Sequence, residues 1–138
     1  MSDIKRNGWK ALVLAGVLLM TIIPQPAKAQ QVTVDATIDS LQLLIGEQAK
    51  VKLEVSFDAN QKMLLPQLRD TLVRGVEILD IAKPDTQMLN EGKRMLVKQE
   101  YTITSFDSAL YYLPPFEVLV NDRPYLSKAL ALKVYSIP

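Results

Sequence analysis

AKVKLEVSF, residues 49–57, alternates without a fault: Val51, Leu53, Val55 and Phe57 fall on one side of an extended chain, and Lys50, Lys52, Glu54 and Ser56 on the other. Successive side chains of a strand point to opposite faces, so the pattern predicts a strand with one face in a core and one in water. The same template fits Val32, Val34, Ala36 and Ile38 against Thr33, Asp35 and Thr37. It fits Met95, Val97, Tyr101 and Ile103 less cleanly, because Leu96 and Gln99 break the alternation. Near the end of the chain Leu130, Leu132 and Val134 alternate with Ala131 and Lys133. VEILDIA, residues 76–82, is more continuously apolar and predicts a strand that sits deeper or carries a bulge.

Turn chemistry separates these runs: Gly46-Glu47, Asp58-Ala59-Asn60, Lys83-Pro84-Asp85, Asn90-Glu91-Gly92 and Asn121-Asp122-Arg123-Pro124. Short strands at this spacing predict an all-β, antiparallel β-sandwich of seven or eight strands. The nearest approach to a helical period is QLRDTLVRGV, residues 67–76, read as a loop with at most one helical turn before Gly75. In YYLPPFEVLV, residues 111–120, Pro114 and Pro115 cannot donate ladder bonds and are read as marking the start of the strand that carries Phe116, Val118 and Val120. Either proline permits a cis bond, with trans the default.

The first 29 residues carry a different message. Lys5, Arg6 and Lys10 precede the apolar run ALVLAGVLLMTII, residues 11–23, and Ala27 and Ala29 supply small residues for cleavage before Gln30. This is the pattern of a secretory signal peptide, and Pro24 and Pro26 oppose extension of the run into an anchor. The expected organisation is a signal peptide over 1–29 and one domain over 30–138, exported to the periplasm or facing it. Removing Lys5, Arg6, Lys10, Lys28 and Asp3 from 16 basic and 15 acidic residues leaves 12 and 14. With no basic face, a nucleic-acid partner is not expected. There is no cysteine, so neither a disulfide framework nor a lipid on an amino-terminal cysteine is available.

Chemistry is sparse. The absence of histidine and cysteine removes histidine triads, the usual zinc sites and thiol chemistry. Ser127 and Lys128 are neighbours on a strand and point apart, which defeats a serine-lysine pair. Of the carboxylates, Glu77, Asp80, Asp85 and Asp107 would have to meet in a pocket to serve as acid and base. No calcium loop or glycine-rich phosphate loop is present. The expectation is no catalytic residue, no metal and no cofactor. Phe106, Tyr111, Tyr112, Phe116 and Tyr125 cluster late in the chain, and adjacent tyrosines in extended chain send one ring outward. Tyr111, Tyr112, Pro114 and Pro115 are therefore the candidate partner contacts.

Three segments, IDSLQLLIGEQAKVKLEVSF, LPQLRDTLVRGVEIL and TSFDSALYYLPPFEVLVNDRPYLSKALALKV, together resemble the amino-terminal part of the oxygen-tolerance family that includes BatD. The residues that carry the resemblance are the Ile45-Gly46-Glu47 turn, Leu113-Pro114-Pro115-Phe116, and Pro124-Tyr125-Leu126-Ser127. The resemblance implies an immunoglobulin-like β-sandwich in the bacterial envelope that scaffolds other envelope proteins. Membrane proteins with von Willebrand A domains are the implied partners, in a set that includes a MoxR-type ATPase. Members of that family are longer and carry a membrane helix, so this chain is expected to be a fragment of such a protein or a stand-alone relative. The family has no catalytic residues to carry over. The alternative is a polysaccharide-binding or adhesive module, which requires Tyr111 or Tyr112 exposed beside a groove with polar groups.

Overall fold

A computed structural model of the chain describes residues 31–137. The signal peptide assigned to residues 1–29 lies outside the described residues. Those described are all-β, with no helix among them. The strands are β1 (Thr33–Ile38), β2 (Gln42–Leu44), β3 (Gln48–Asp58), β4 (Met63–Leu64), β5 (Thr71–Val73), β6 (Val76–Ile81), β7 (Asp85–Leu89), β8 (Arg94–Thr104), β9 (Ala109–Leu113), β10 (Glu117–Val120), β11 (Arg123–Leu126) and β12 (Leu130–Tyr135). Twelve segments stand where turn spacing predicts seven or eight. The surplus comes from β2, β4 and β5, of two or three residues each, and from β7, all of whose side chains are exposed and so show no alternation.

The two eleven-residue strands β3 and β8 pair antiparallel along their whole length, from Gln48 opposite Thr104 to Asp58 opposite Arg94. In β3 the alternation seen in the sequence is the burial pattern itself: Val51, Leu53 and Val55 are fully buried and Phe57 nearly so. In β8 the buried face is Val97, Gln99, Tyr101 and Ile103. Gln99, which breaks the apolar pattern, is buried because β6 and β7 share the far edge of β8 and leave a gap at its level. Its side-chain amide donates to the carbonyl of Ala82 in that gap, while the Ala82 amide donates to the carbonyl of Glu100 at 2.9 Å. A buried polar side chain with a partner is tolerable; without one it would cost about 1–3 kcal/mol.

β1 flanks β3, and β5 flanks β6, giving the order β1-β3-β8-β6-β5. The bulge foreseen in residues 76–82 is present, where the register of β6 on β8 slips between Ile78 and Asp80. The strand is not deep, however: only Val76 is buried, and Leu79 and Ile81 are exposed because nothing covers that end of the sheet edge. Residues 67–76 form no helical turn. Thr71–Val73 pairs with β6 across a two-residue turn in which Gly75 takes φ 93°, a conformation that glycine adopts without steric penalty. Local strand pairing outweighs a helical segment too short to sustain itself.

The remaining strands build one long hairpin in two halves. β10 pairs β11 with Glu117 opposite Leu126, and β9 pairs β12 with Leu113 opposite Leu130. The register is continuous across the three residues on each strand, 114–116 and 127–129, that make no ladder. At the tip Asn121 and Asp122 both have positive φ, 50° and 64°, the type I′ geometry that matches strand twist. β4 adds to the β10 half, and β2 adds to the β12 half in parallel, the one departure from an antiparallel arrangement.

Pro114 and Pro115 do not start a strand; they divide this hairpin, and β10 begins at Glu117. Leu113 and Phe116 are both buried although three residues apart. A pleated strand of period two would send one of them outward, whereas an extended proline segment repeats every three residues. The pair thus switches which alternate residues face the core: Tyr111 and Leu113 before it, Phe116, Val118 and Val120 after it. Ser127 completes the join, its hydroxyl accepting from the Phe116 amide at 2.8 Å while its own amide donates to the Phe116 carbonyl at 3.0 Å.

One core lies between the six-stranded sheet and the hairpin with its flanks. Ala36, Ala49, Val51, Leu53, Val55, Phe57, Val76, Val97, Tyr101 and Ile103 from the six-stranded sheet pack with Leu43, Leu113, Phe116, Val118, Val120, Leu132 and Val134 from the hairpin and its flanks. At one margin Arg94 is buried and makes three hydrogen bonds, with Nη1 3.1 Å from Asp58 Oδ1 and Nη2 2.8 Å from both Ser56 Oγ and the Gln31 carbonyl.

Candidate functional site

The prolines that divide the hairpin also open its surface. β4 pairs β10 for only two residues, Met63 with Val120 and Leu64 with Leu119, and Pro66 then follows with no amide hydrogen to extend the ladder. On the neighbouring strand Pro114 and Pro115 lack donors too. With donors missing on both sides the chains part, and a groove of about 370 Å³ lies between them. One wall is Leu64, Leu65, Pro66, Gln67 and Leu68, with Leu72 of β5. The other is Pro114, Pro115, Phe116, Glu117 and Leu119. The volume is at the lower end of the ligand-pocket range, and suits one or two inserted apolar side chains.

The floor is held firmly. The Phe116 ring stacks on Tyr101, with centroids 5.7 Å apart and planes 12° from parallel. The Tyr101 hydroxyl is buried with no hydrogen-bond partner, and burial raises its pKa to about 12. The lining offers two polar side chains, Gln67 and Glu117. Glu117 is exposed and makes no ion pair among the described residues.

The four candidate contact residues separate into three environments. Pro114 and Pro115 line the groove. Tyr111 lies in β9, not in a loop, and is turned inward. Its hydroxyl donates to the Asp107 carbonyl at 2.9 Å and lies 3.2 Å from the Ser105 hydroxyl. Its ring covers Gly75 so closely that a Cβ there would come within 2.6 Å of it. Tyr112 points out, 66% exposed beside Leu110 at 76%, and neither tyrosine lines the groove.

The candidate carboxylates do not converge. Glu77 faces Thr104, Asp80 faces Thr102 and Asp85 faces Lys98 across strand pairs, and none of these or Asp107 lines the groove. No cluster of three metal-ligating side chains occurs among the described residues. Ser127 is committed to the hairpin join described above. Sequence reading passed over Leu64, Leu65, Leu68 and Leu72 as site residues. The signal that would have found them is Pro66 within an apolar run, a second donor-free position to set against Pro114 and Pro115.

No protein-family model matches this chain, and no curated protein matches it.

Proposed function

We propose that this chain is a non-catalytic, immunoglobulin-like β-sandwich module of the bacterial envelope that binds other envelope proteins, in the manner its resemblance to the BatD family implies. The strand order supports the fold. Taking β1, β3, β4, β6, β8, β10 and β11 as strands A to G, one sheet runs A-B-E-D and the other C-F-G, the immunoglobulin arrangement. Tyr111, bonded back to the Asp107 carbonyl at the E–F corner, matches the tyrosine corner of such domains. The signal-peptide pattern of residues 1–29 supports export.

The observation that carries the binding role is the apolar groove between Leu64–Leu68 and Pro114–Phe116. An apolar cleft walled by prolines, with a single carboxylate, suits an apolar anchor of a protein partner and offers a sugar few hydrogen-bonding groups. The test is a photo-crosslinking amino acid in place of Leu64, with one in place of the exposed β7 residue Gln87 as control, in cells expressing the chain. Capture at Leu64, and not at Gln87, of a membrane protein with a von Willebrand A domain is the expected result. Capture of no protein, with retention of the chain on cell-surface glycan, overturns the reading in favour of a polysaccharide-binding module.

A further inference from the structure

We infer that β9 is a self-pairing edge: two copies of this chain associate by laying their β9 strands side by side, antiparallel and centred on Tyr111. Strands of four residues or more with a free edge among the described residues are β1, β7, β9 and β11, together with β6 beyond its two-residue pairing with β5, where it carries the charged Asp80. Exposed edges invite pairing with other chains, and proteins blunt them with charge or proline. β1 carries Asp35, β7 carries Asp85, and β11 carries Arg123 and Pro124. β9, Ala109-Leu110-Tyr111-Tyr112-Leu113, carries neither. Beyond its ladder with β12, the backbone of residues 109–113 makes no hydrogen bond to another backbone group.

The occupant is argued from the strand's own composition. An uncharged edge accepts a partner strand without opposed charges, and β9 is itself such a strand. Centred on Tyr111, the antiparallel pair matches all five residues and sets Leu110 of each copy opposite Tyr112 of the other. The two most exposed apolar side chains of β9 are thereby covered, as a cross-strand aliphatic–aromatic pair made twice. The same register brings Asp107 of one copy level with Pro115 of the other, on the row that Lys128 occupies in the continuous hairpin register. Five paired residues make a small interface, below the ~1,200 Å² of lasting complexes, so the dimer is weak and concentration-dependent.

The free edge of β9 runs on into the groove at Pro114 and Pro115, so in such a dimer the partner's Asp107 comes level with one end of the groove wall, and the two proposals are told apart by what each experiment captures. The chain has no cysteine, so introduced cysteines report cleanly. Leu110→Cys and Tyr112→Cys chains, mixed and oxidised, are expected to form a disulfide-linked heterodimer much faster than either chain alone. Cross-strand neighbours are about 4.5–5.5 Å apart, within disulfide reach, whereas equivalent positions are offset. In sedimentation equilibrium of the unmodified chain, a dimer is expected to grow in with concentration. Leu110→Lys is expected to weaken it about tenfold or more, and Leu126→Lys, on the exposed side of β11, to leave it unchanged. A chain that stays monomeric, a mixture that crosslinks no faster than its components, or a dimer indifferent to Leu110→Lys overturns the inference. Capture at Leu64 is scored by the identity of the protein caught, a second copy of this chain counting for the dimer alone, so either proposal can fail without the other.

Discussion

Tyr101 shows how much a single side chain can be asked to do. Its ring supports Phe116 beneath the groove, yet its hydroxyl is buried without a partner, a cost of about 1–3 kcal/mol. At neutral pH, Tyr101→Phe keeps the ring, removes that cost, and is expected to be at least as stable as the unmodified chain. Alkaline pH sharpens the comparison. The folded-state pKa is raised to about 12 from 10.0, so the neutral form is favoured in the fold. Above pH 10 the unfolded chain ionises while the folded chain does not, and the advantage held below that pH is lost between about 10 and 12. Urea unfolding at a series of pH values should therefore show the gap in favour of Tyr101→Phe widening by about 2–3 kcal/mol over that window. A constant gap would mean that Tyr101 is not buried in solution. The sequence marks Tyr101 as a core residue by its alternation with Glu100 and Thr102, but the stacking partner, Phe116, comes from the proline join of the hairpin and is not written locally.

At the scale of elements, the long strands were legible because one of their faces is buried. β1, β3 and β12 follow the alternation of their sequences closely, since period-two patterning is what burying one face of a strand requires. β7 was illegible for the converse reason: it is held by backbone bonds to β8, which any side chain permits, and buries none of its own. The prolines stand ahead of β10 as the sequence suggests, but that they divide one continuous hairpin is not visible in it. They do not begin a strand; they change the repeat from two to three so that Leu113 and Phe116 share the core. Replacing both by alanine restores donors and flexibility at the join. The fold is expected to survive, with the Phe116 and Ser127 amides exchanging about tenfold faster or more as the local opening becomes cheaper. Unaltered exchange at these two amides would show that the join does not depend on proline.

For the molecule as a whole, all three groups of strands share one core, so they are expected to unfold together. Far-ultraviolet dichroism and the near-ultraviolet tyrosine signal should give superimposable urea transitions. Leu132→Ala, in the β12 half, should shift both midpoints equally, by about 2–5 kcal/mol of stability. Two separated transitions would show that the hairpin and the six-stranded sheet are independent units. The sequence by itself determined the all-β class, the principal strands, most of the turns and which faces are apolar, because alternation and turn residues are local properties of the chain. Only the tertiary structure decided the parallel pairing of β2 with β12, the sharing of the β8 edge, the inward commitment of Tyr111 and the groove between Leu64–Leu68 and Pro114–Phe116. Each of those depends on residues far apart in the chain being brought together, and whether a donor-free proline opens a gap depends on what lies across from it.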